Sequence, residues 1–164
     1  TAEGEVMLEG KNVVTAVIVA AAAAIGISSA ASRDDSGAIT SAGAVDAFDM
    51  HVGDCFDDTA FGATDVSELP GVPCSDPHDN EVYALWDISG SWPGDENVEE
   101  LAYQGCFDRF EAAIGRSYED SVIDYTVIYP SEESWNRLDD REVICVAYHM
   151  EFEKLTGSVL GSGL

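Results

Sequence analysis

The chain is poor in basic residues. Only 7 of its 164 residues are Lys or Arg, against 32 Asp or Glu, and the formal net charge is −25. Because nucleic-acid binding requires clustered Lys and Arg to neutralise phosphates, this composition excludes a nucleic-acid-binding function. It also disfavours adhesion to anionic lipid headgroups. The same charge favours attraction to basic protein surfaces.

Motifs of the common enzyme and metal-site classes are missing as well. The sequence has no glycine-rich phosphate loop, no HExxH, no GxSxG and no EF-hand loop. None of its four cysteines forms a C-x-x-C pair, which disfavours zinc-ribbon and thioredoxin-type sites. We therefore expect a protein that is not an enzyme and that binds no metal or cofactor.

The longest uncharged segment lies near the N-terminus. Between Lys11 and Arg33 stand 21 residues without a charge, and about 20 helical residues cross a bilayer core of about 30 Å. We expect a transmembrane helix over residues 12–32, preceded by a cytoplasmic stub at 1–11. A cleaved signal peptide ending in the small residues at 29–31, or a buried core helix, is the alternative interpretation.

All four cysteines follow this segment, namely Cys55, Cys74, Cys106 and Cys145. Dispersed cysteines beyond a membrane segment are typical of two disulfides in an oxidising compartment, which would place the domain outside the cytoplasm. Three pairings are open, and we favour Cys55–Cys74 together with Cys106–Cys145. The alternative is four reduced, buried cysteines in a cytoplasmic domain.

The rest of the chain is expected to form a linker and one domain. Residues 33–47 are rich in Ser, Gly, Ala and Asp and predict a flexible acidic linker, followed by a folded domain over 48–164. Residues 95–115 predict an amphipathic helix with Asp95 as its N-cap, Gly115 at its end and Cys106 on its buried face.

Short apolar, β-prone segments predict the strands of this domain. They lie at 51–56, 81–88, 121–130 and 141–150, with a short last strand at 155–160; loops are expected at 57–72 and 131–140. Several strands around one helix predict an α+β fold with a small, mostly antiparallel sheet, one packed helix and disulfide bonds, behind one N-terminal transmembrane helix.

Few residues are candidates for site chemistry. His78 stands beside acidic residues, as in acid–base or metal sites, but a histidine that stabilises its own turn is the commoner case. The pairs Met50-His51 and His149-Met150 offer soft donors for copper only if their strands pair. The acidic clusters could bind Ca²⁺ weakly, but they are typical of a solvated surface.

Several segments occur in an order that is found in one family. They are VGDCF at 52–56, VPCSDPHDNEVYA at 72–84, WPG at 92–94, Cys106, YP at 129–130, VICVAY at 143–148 and LTGSVLG at 155–161. Over residues 48–161 the chain resembles the septum formation domain family of actinobacterial cell-envelope proteins. The resemblance implies an extracytoplasmic domain with paired cysteines, and it marks His78, Glu81 and Trp135 as family-motif residues without implying catalytic ones.

Two functions fit these observations. The first is a non-catalytic accessory subunit, anchored by one transmembrane helix in a larger membrane complex such as a respiratory cytochrome bc–oxidase supercomplex. From Arg33 onward there are 29 acidic and 6 basic residues, which would suit a basic extracytoplasmic surface such as a cytochrome c domain. The alternative, which follows from the resemblance, is a factor for assembly of the division septum or the cell wall. An enzyme or metal carrier fits less well, because the sequence shows no convergent set of catalytic residues.

Overall fold

The computed structural model describes residues 29–58 and 67–164. In chain order the elements are β1 (Ser32–Arg33), β2 (Ile39–Ser41), β3 (Gly43–Asp46), β4 (Cys55–Phe56), β5 (Glu68–Val72), β6 (Asn80–Asp87), α1 (Asp95–Ile114), β7 (Ile123–Ile128), α2 (Glu132–Leu138) and β8 (Glu142–His149). Two 3₁₀ turns lie at Ala47–Asp49 and Tyr118–Asp120. The predicted α+β class with antiparallel sheets is confirmed.

A six-stranded sheet organises the domain, in the order β3-β5-β4-β6-β8-β7. All its neighbouring strands run antiparallel. Because side chains alternate across a strand, β8 buries Val143, Cys145 and Ala147 in the core that contains α1, and Ile144 and Val146 in a second core on the other face. Strands β1 and β2 form a separate two-stranded sheet.

Helix α1 packs on the sheet through residues spaced at helical intervals. Val98, Ala102, Cys106, Phe110 and Ile114 are all buried, and this apolar stripe is why the segment folds as a helix against the sheet. The disulfide Cys106–Cys145 joins α1 to β8. It spans 39 residues, which corresponds to about 4 kcal/mol of stabilisation in the chain-entropy description.

Helix α1 has a glycine cap residue at each end, and no acidic side chain caps its N-terminus. Gly94 is the N-cap residue, at φ 94° and without a side-chain cap, so the predicted N-cap Asp95 is instead the first helical residue. The helix ends as predicted at Gly115, whose φ of 86° is in the left-handed region that favours glycine.

Aromatic residues fill the space between α1 and β7. Tyr83, Phe110, Tyr118 and Tyr125 stack edge-on or tilted, with ring centroids 5.4–6.3 Å apart. The Tyr83 hydroxyl donates to the Cys106 carbonyl at 2.8 Å. Burial raises the pKa of Tyr125 to about 12, because the charged phenolate is poorly solvated there.

The predicted flexible linker at 33–47 is wrong, because these residues belong to the fold. Strand β3 pairs with β5 in the main sheet, and Ile39 and Val45 are buried in the second core. Strands of three or four residues are too short to leave an alternating pattern in the sequence, which is why the Ser- and Gly-rich composition was misleading.

Two predicted loops contain regular structure. Residues 57–72 include β5, which forms although Pro70 lies within it. Residues 131–140 include α2, which begins with a capping box in which the Ser131 and Ser134 side chains bond each other's backbone N–H groups. The single predicted helix is therefore accompanied by a second, shorter one.

Two predicted strands are shorter than expected. Of 51–56 only Cys55–Phe56 is in a strand, and 155–160 contributes one β-bridge, between His78 and Leu155. Glycine at 53 and at 157, both with positive φ, bends these segments.

The predicted stub and most of the predicted transmembrane helix lie outside the described residues. Among residues 29–58 and 67–164, no helix is long and apolar enough to span a bilayer. The last residues of the predicted helix lie beside β3, where the Ala44 N–H donates to the Ser29 carbonyl and the Ala31 N–H to the Ala44 carbonyl, both at 2.9 Å.

The close approach of Gly105 to Trp86 gives a first prediction. A Cβ at Gly105 would overlap the Trp86 ring, which also carries the Arg109 guanidinium 4.8 Å from its centroid. Gly→Ala inside a helix ordinarily stabilises it by about 1 kcal/mol. Here we expect Gly105→Ala to lower the free energy of unfolding by about 1–3 kcal/mol through overpacking, measured by denaturant titration.

The matched control is the exposed neighbour Gln104, whose change to Ala should stay within about 0.5 kcal/mol of wild type. Combining Gly105→Ala with Trp86→Leu should recover stability relative to Gly105→Ala alone. A Gly105→Ala variant as stable as wild type would contradict the packing argument.

Candidate functional site

Four residues of the family motifs, Cys55, Cys74, His78 and Glu81, converge where β4, β6 and the C-terminal segment meet. Cys55 of β4 and Glu81 of β6 are direct partners in the antiparallel ladder. Cys74, two residues beyond β5, forms a disulfide with Cys55, as expected. This bond spans 19 residues, which corresponds to about 3 kcal/mol in the chain-entropy description.

The Glu81 side chain is fully buried and accepts two hydrogen bonds. Its Oε1 accepts from the Ser158 hydroxyl at 2.5 Å, and its Oε2 accepts from the Val159 backbone N–H at 2.6 Å. A buried carboxyl without such partners would strongly destabilise the fold. Glu81 therefore fixes the C-terminal segment to the sheet.

His78 is also fully buried and binds its own turn and the same segment. Its backbone N–H donates to the Leu155 carbonyl at 3.0 Å, and the Leu155 N–H donates back at 2.8 Å. The ring Nδ1 lies 2.8 Å from the Asp76 carbonyl, so it carries the proton and donates. The ring Nε2 has no hydrogen-bond partner among the described residues. These contacts match the turn-stabilising role expected from the sequence.

The C-terminal segment closes over the disulfide. The Gly157 N–H donates to the Cys74 carbonyl at 2.7 Å, between the contacts of Leu155 with His78 and those of Ser158 and Val159 with Glu81. Residues 155–159 thus lie along the turn from Cys74 to Glu81, and we call residues 155–159 the closing segment.

The donor chemistry of this cluster limits what it can bind. A Glu81 carboxyl oxygen lies within 4.8 Å of the Cys55 and Cys74 sulfur atoms, which is close enough for three ligands of one ion. A cysteine binds a metal ion as its thiolate, and both sulfur atoms are engaged in the disulfide. The oxidised cluster therefore offers one carboxyl group, already bonded twice, and these donors do not fit a metal.

Trp135 belongs to another part of the molecule. It is buried on α2, its ring lies 5.3 Å from that of Trp92, and the Arg141 guanidinium stacks on it at 3.7 Å. Arg141 also donates to the Trp135 carbonyl at 3.0 Å. Trp135 and the Cys106–Cys145 disulfide thus hold the α1 side of the domain and do not join the Glu81 cluster.

The histidine–methionine pairs do not assemble a copper site in the described part of the chain. Met50 is buried in the second core, while His51 is half-exposed beside Asp49, at 3.9 Å. His149 of β8 is paired with Ile123 of the edge strand β7, and its Nδ1 accepts from the Glu151 N–H at 3.2 Å.

One buried ion pair had no counterpart in the sequence analysis. Arg33 donates to both carboxyl oxygens of the buried Asp54, at 2.5 and 2.7 Å, and to the carbonyls of Gly37 and Asp49. The hydrogen bond to Asp54 raises the pKa of the Arg33 guanidinium. The partners are 21 residues apart, so no local pattern joins them. The only sequence signal is that Arg33 is a rare cation in an acidic chain.

The two bonds accepted by Glu81 predict a graded loss of stability. Glu81→Ala leaves the buried Val159 N–H and the Ser158 hydroxyl without their acceptor, and we expect it to lower the free energy of unfolding by about 3 kcal/mol. Glu81→Gln should cost only about 1 kcal/mol, because its amide can accept from Val159 and donate to Ser158. Chemical denaturation with disulfides intact measures both.

Asp87, exposed at the end of the same strand, provides the control. Asp87→Ala should change stability by less than about 0.5 kcal/mol. Equal stabilities of Glu81→Ala and Asp87→Ala would show that Glu81 does not hold the closing segment.

Comparison with known proteins gives the family of the chain. A family model described as septum formation matches residues 52–158, which include both disulfides, His78, Glu81 and Trp135. Searches of the curated proteins and of the solved structures returned no match. The matched range covers well over half of the chain, in agreement with the resemblance drawn from its motifs. The chain therefore belongs to the septum formation family.

Proposed function

We propose that this protein is an assembly factor of the division septum or cell wall, and that its domain acts by binding other proteins rather than by catalysis. The observation that carries the proposal is the family match over residues 52–158. The first expectation, a subunit of a respiratory supercomplex, receives no support from the fold or from the comparisons. We therefore prefer the septal role.

The bonding of the Glu81 cluster supports a binding role. Cys55 and Cys74 are oxidised, and Glu81 is occupied by Ser158 and Val159. A general acid or base must reach the proton that it transfers, whereas this carboxyl group is buried against the closing segment. We infer that the cluster acts as a scaffold, and that binding falls to the surface of the domain.

The disulfides support a location outside the cytoplasm. Disulfides persist in oxidising compartments and are rare in the cytosol, and here two of them join separate parts of one domain. The uncharged run at 12–32 would supply a single membrane anchor. The protein would then be a single-pass membrane protein with its acidic domain on the outer side.

The charge of the domain supports a basic partner. From Arg33 onward the chain carries 29 acidic and 6 basic residues, a net charge of −23. Of the six basic residues, Arg33, Arg141 and Lys154 are paired with aspartates, and Arg137 is paired with Glu133. Such a field accelerates the encounter with a positively charged protein and is screened by salt over about 8–10 Å.

Localisation in dividing host cells tests this function. The full chain is fused at its C-terminus to a fluorescent protein that matures outside the cytoplasm. We expect enrichment at the septum, together with protection of the fusion from protease until the outer layers are permeabilised. A variant with Val19→Asp in the uncharged run should lose the membrane label if that run is the anchor.

The contrary result is equally clear. Uniform membrane labelling throughout the division cycle would contradict the septal role and would favour the accessory-subunit hypothesis instead. Glu96→Gln, an exposed change on α1, is the control and should localise like wild type.

A further inference from the structure

The turn after β8 presents an aromatic ring to solvent. Phe152 is 63% exposed, and its φ of 57° is in the left-handed region that non-glycine residues rarely adopt. Its N–H donates to the His149 carbonyl at 2.7 Å, which holds the turn. A bulky exposed residue in this conformation strains the backbone without burying its side chain, and such strain is found at functional positions.

One face of the Phe152 ring is fixed by the domain. The ring stacks on Tyr148, with centroids 5.5 Å apart and planes inclined by 11°. Tyr148 itself is buried in the domain. The exposure of Phe152 therefore comes from its other face and its edge.

The neighbours of this ring define the kind of partner that fits. Glu151 and Glu153, on either side of Phe152, are both exposed. The following base, Lys154, is held 2.7 Å from Asp57 and 2.9 Å from Asp79. An aromatic face flanked by two carboxylates attracts a cation, because the face of the ring carries partial negative charge.

The domain already uses this contact internally. The Arg109 guanidinium lies 4.8 Å from the centroid of the Trp86 ring, and that of Arg141 lies 3.7 Å from that of Trp135. Both aromatic rings are at least partly buried and belong to the α1 core. Phe152 presents the same type of surface outward.

We propose that Phe152, Glu151 and Glu153 form a docking surface for an Arg or Lys side chain of a basic partner protein. The cation lies over the open face of Phe152, and the two carboxylates neutralise it. The net charge of −23 from Arg33 onward favours a basic occupant over a second copy of this chain, which would be repelled. The inference deepens the proposed function by naming the chemistry of its partner.

Binding of a defined basic peptide tests the proposal. The probe is a fluorescein-labelled peptide in which Arg alternates with Ser, titrated with the purified full chain in detergent micelles and followed by anisotropy. We expect binding that weakens with salt. Phe152→Gly should weaken it about fivefold or more. Phe152→Leu should do the same, because it keeps an apolar side chain but has no aromatic face.

The stability of these variants separates docking from folding. Glycine relieves the left-handed strain at this position, so Phe152→Gly should unfold at the same temperature as wild type or higher. Leu138→Ala removes a side chain that is 65% exposed on α2 and should leave peptide binding unchanged.

Matched charge variants separate this surface from the general field. Glu151→Gln with Glu153→Gln should weaken binding more than Glu96→Gln with Glu100→Gln, which removes the same charge from exposed positions on α1. Phe152→Gly binding like wild type, or equal losses in the two double variants, would overturn the proposal. If Phe152→Gly abolished self-association of the chain and left peptide binding unchanged, the surface would be assigned to a second copy. That result would overturn the proposal as well. The septal function is tested separately in cells, so either result can fail alone.

Discussion

The contact between the buried Glu81 carboxyl group and the closing segment determines much of this structure. A carboxyl group is rarely found fully buried unless its oxygen atoms accept hydrogen bonds. Glu81 meets this requirement through Ser158 and Val159, which are distant from it in the chain. The closing segment in turn bonds the backbone of His78 and Cys74. One structural unit is thus formed by Cys55, Cys74, His78 and Glu81. Motif residues whose types are common in catalytic or metal sites therefore stabilise the fold here.

This unit also helps to position the turn that carries Phe152. Directly before the closing segment, the chain leaves β8 through the turn that carries Phe152, and Lys154 bonds Asp57 and Asp79. The turn is therefore held at both ends, by the β8 ladder and by the Glu81 contact. The turn that carries the proposed docking surface is thus held in place, so that little conformational freedom would be lost on binding.

The long elements of the fold could be predicted from the sequence, and the short ones could not. Helix α1 has 20 residues with a continuous apolar stripe, and β6, β7 and β8 are rich in β-branched and aromatic residues, so local patterns were sufficient. Strands β2 and β3 have three and four residues, which is too short for a local pattern, and β3 forms by pairing with the distant strand β5. The capping box of α2 has Ser134 where the usual pattern has Glu or Gln, and it lies in a polar stretch, so it leaves little signal in the sequence. At the site, the motif identified His78, Glu81 and the cysteines, whereas the bond of Glu81 to Val159 and the pair Arg33–Asp54 depend on contacts distant in sequence.

Amide hydrogen exchange in the wild-type protein tests the role of the closing segment most directly. The amides of Leu155, Gly157 and Val159 donate to His78, Cys74 and Glu81, so we expect them to exchange as slowly as the amides of β6 and β8. Opening of the segment would then require unfolding of the sheet beneath it. Exchange of these amides as fast as in the exposed turn at 151–154 would show that Glu81 does not hold the closing segment against the sheet.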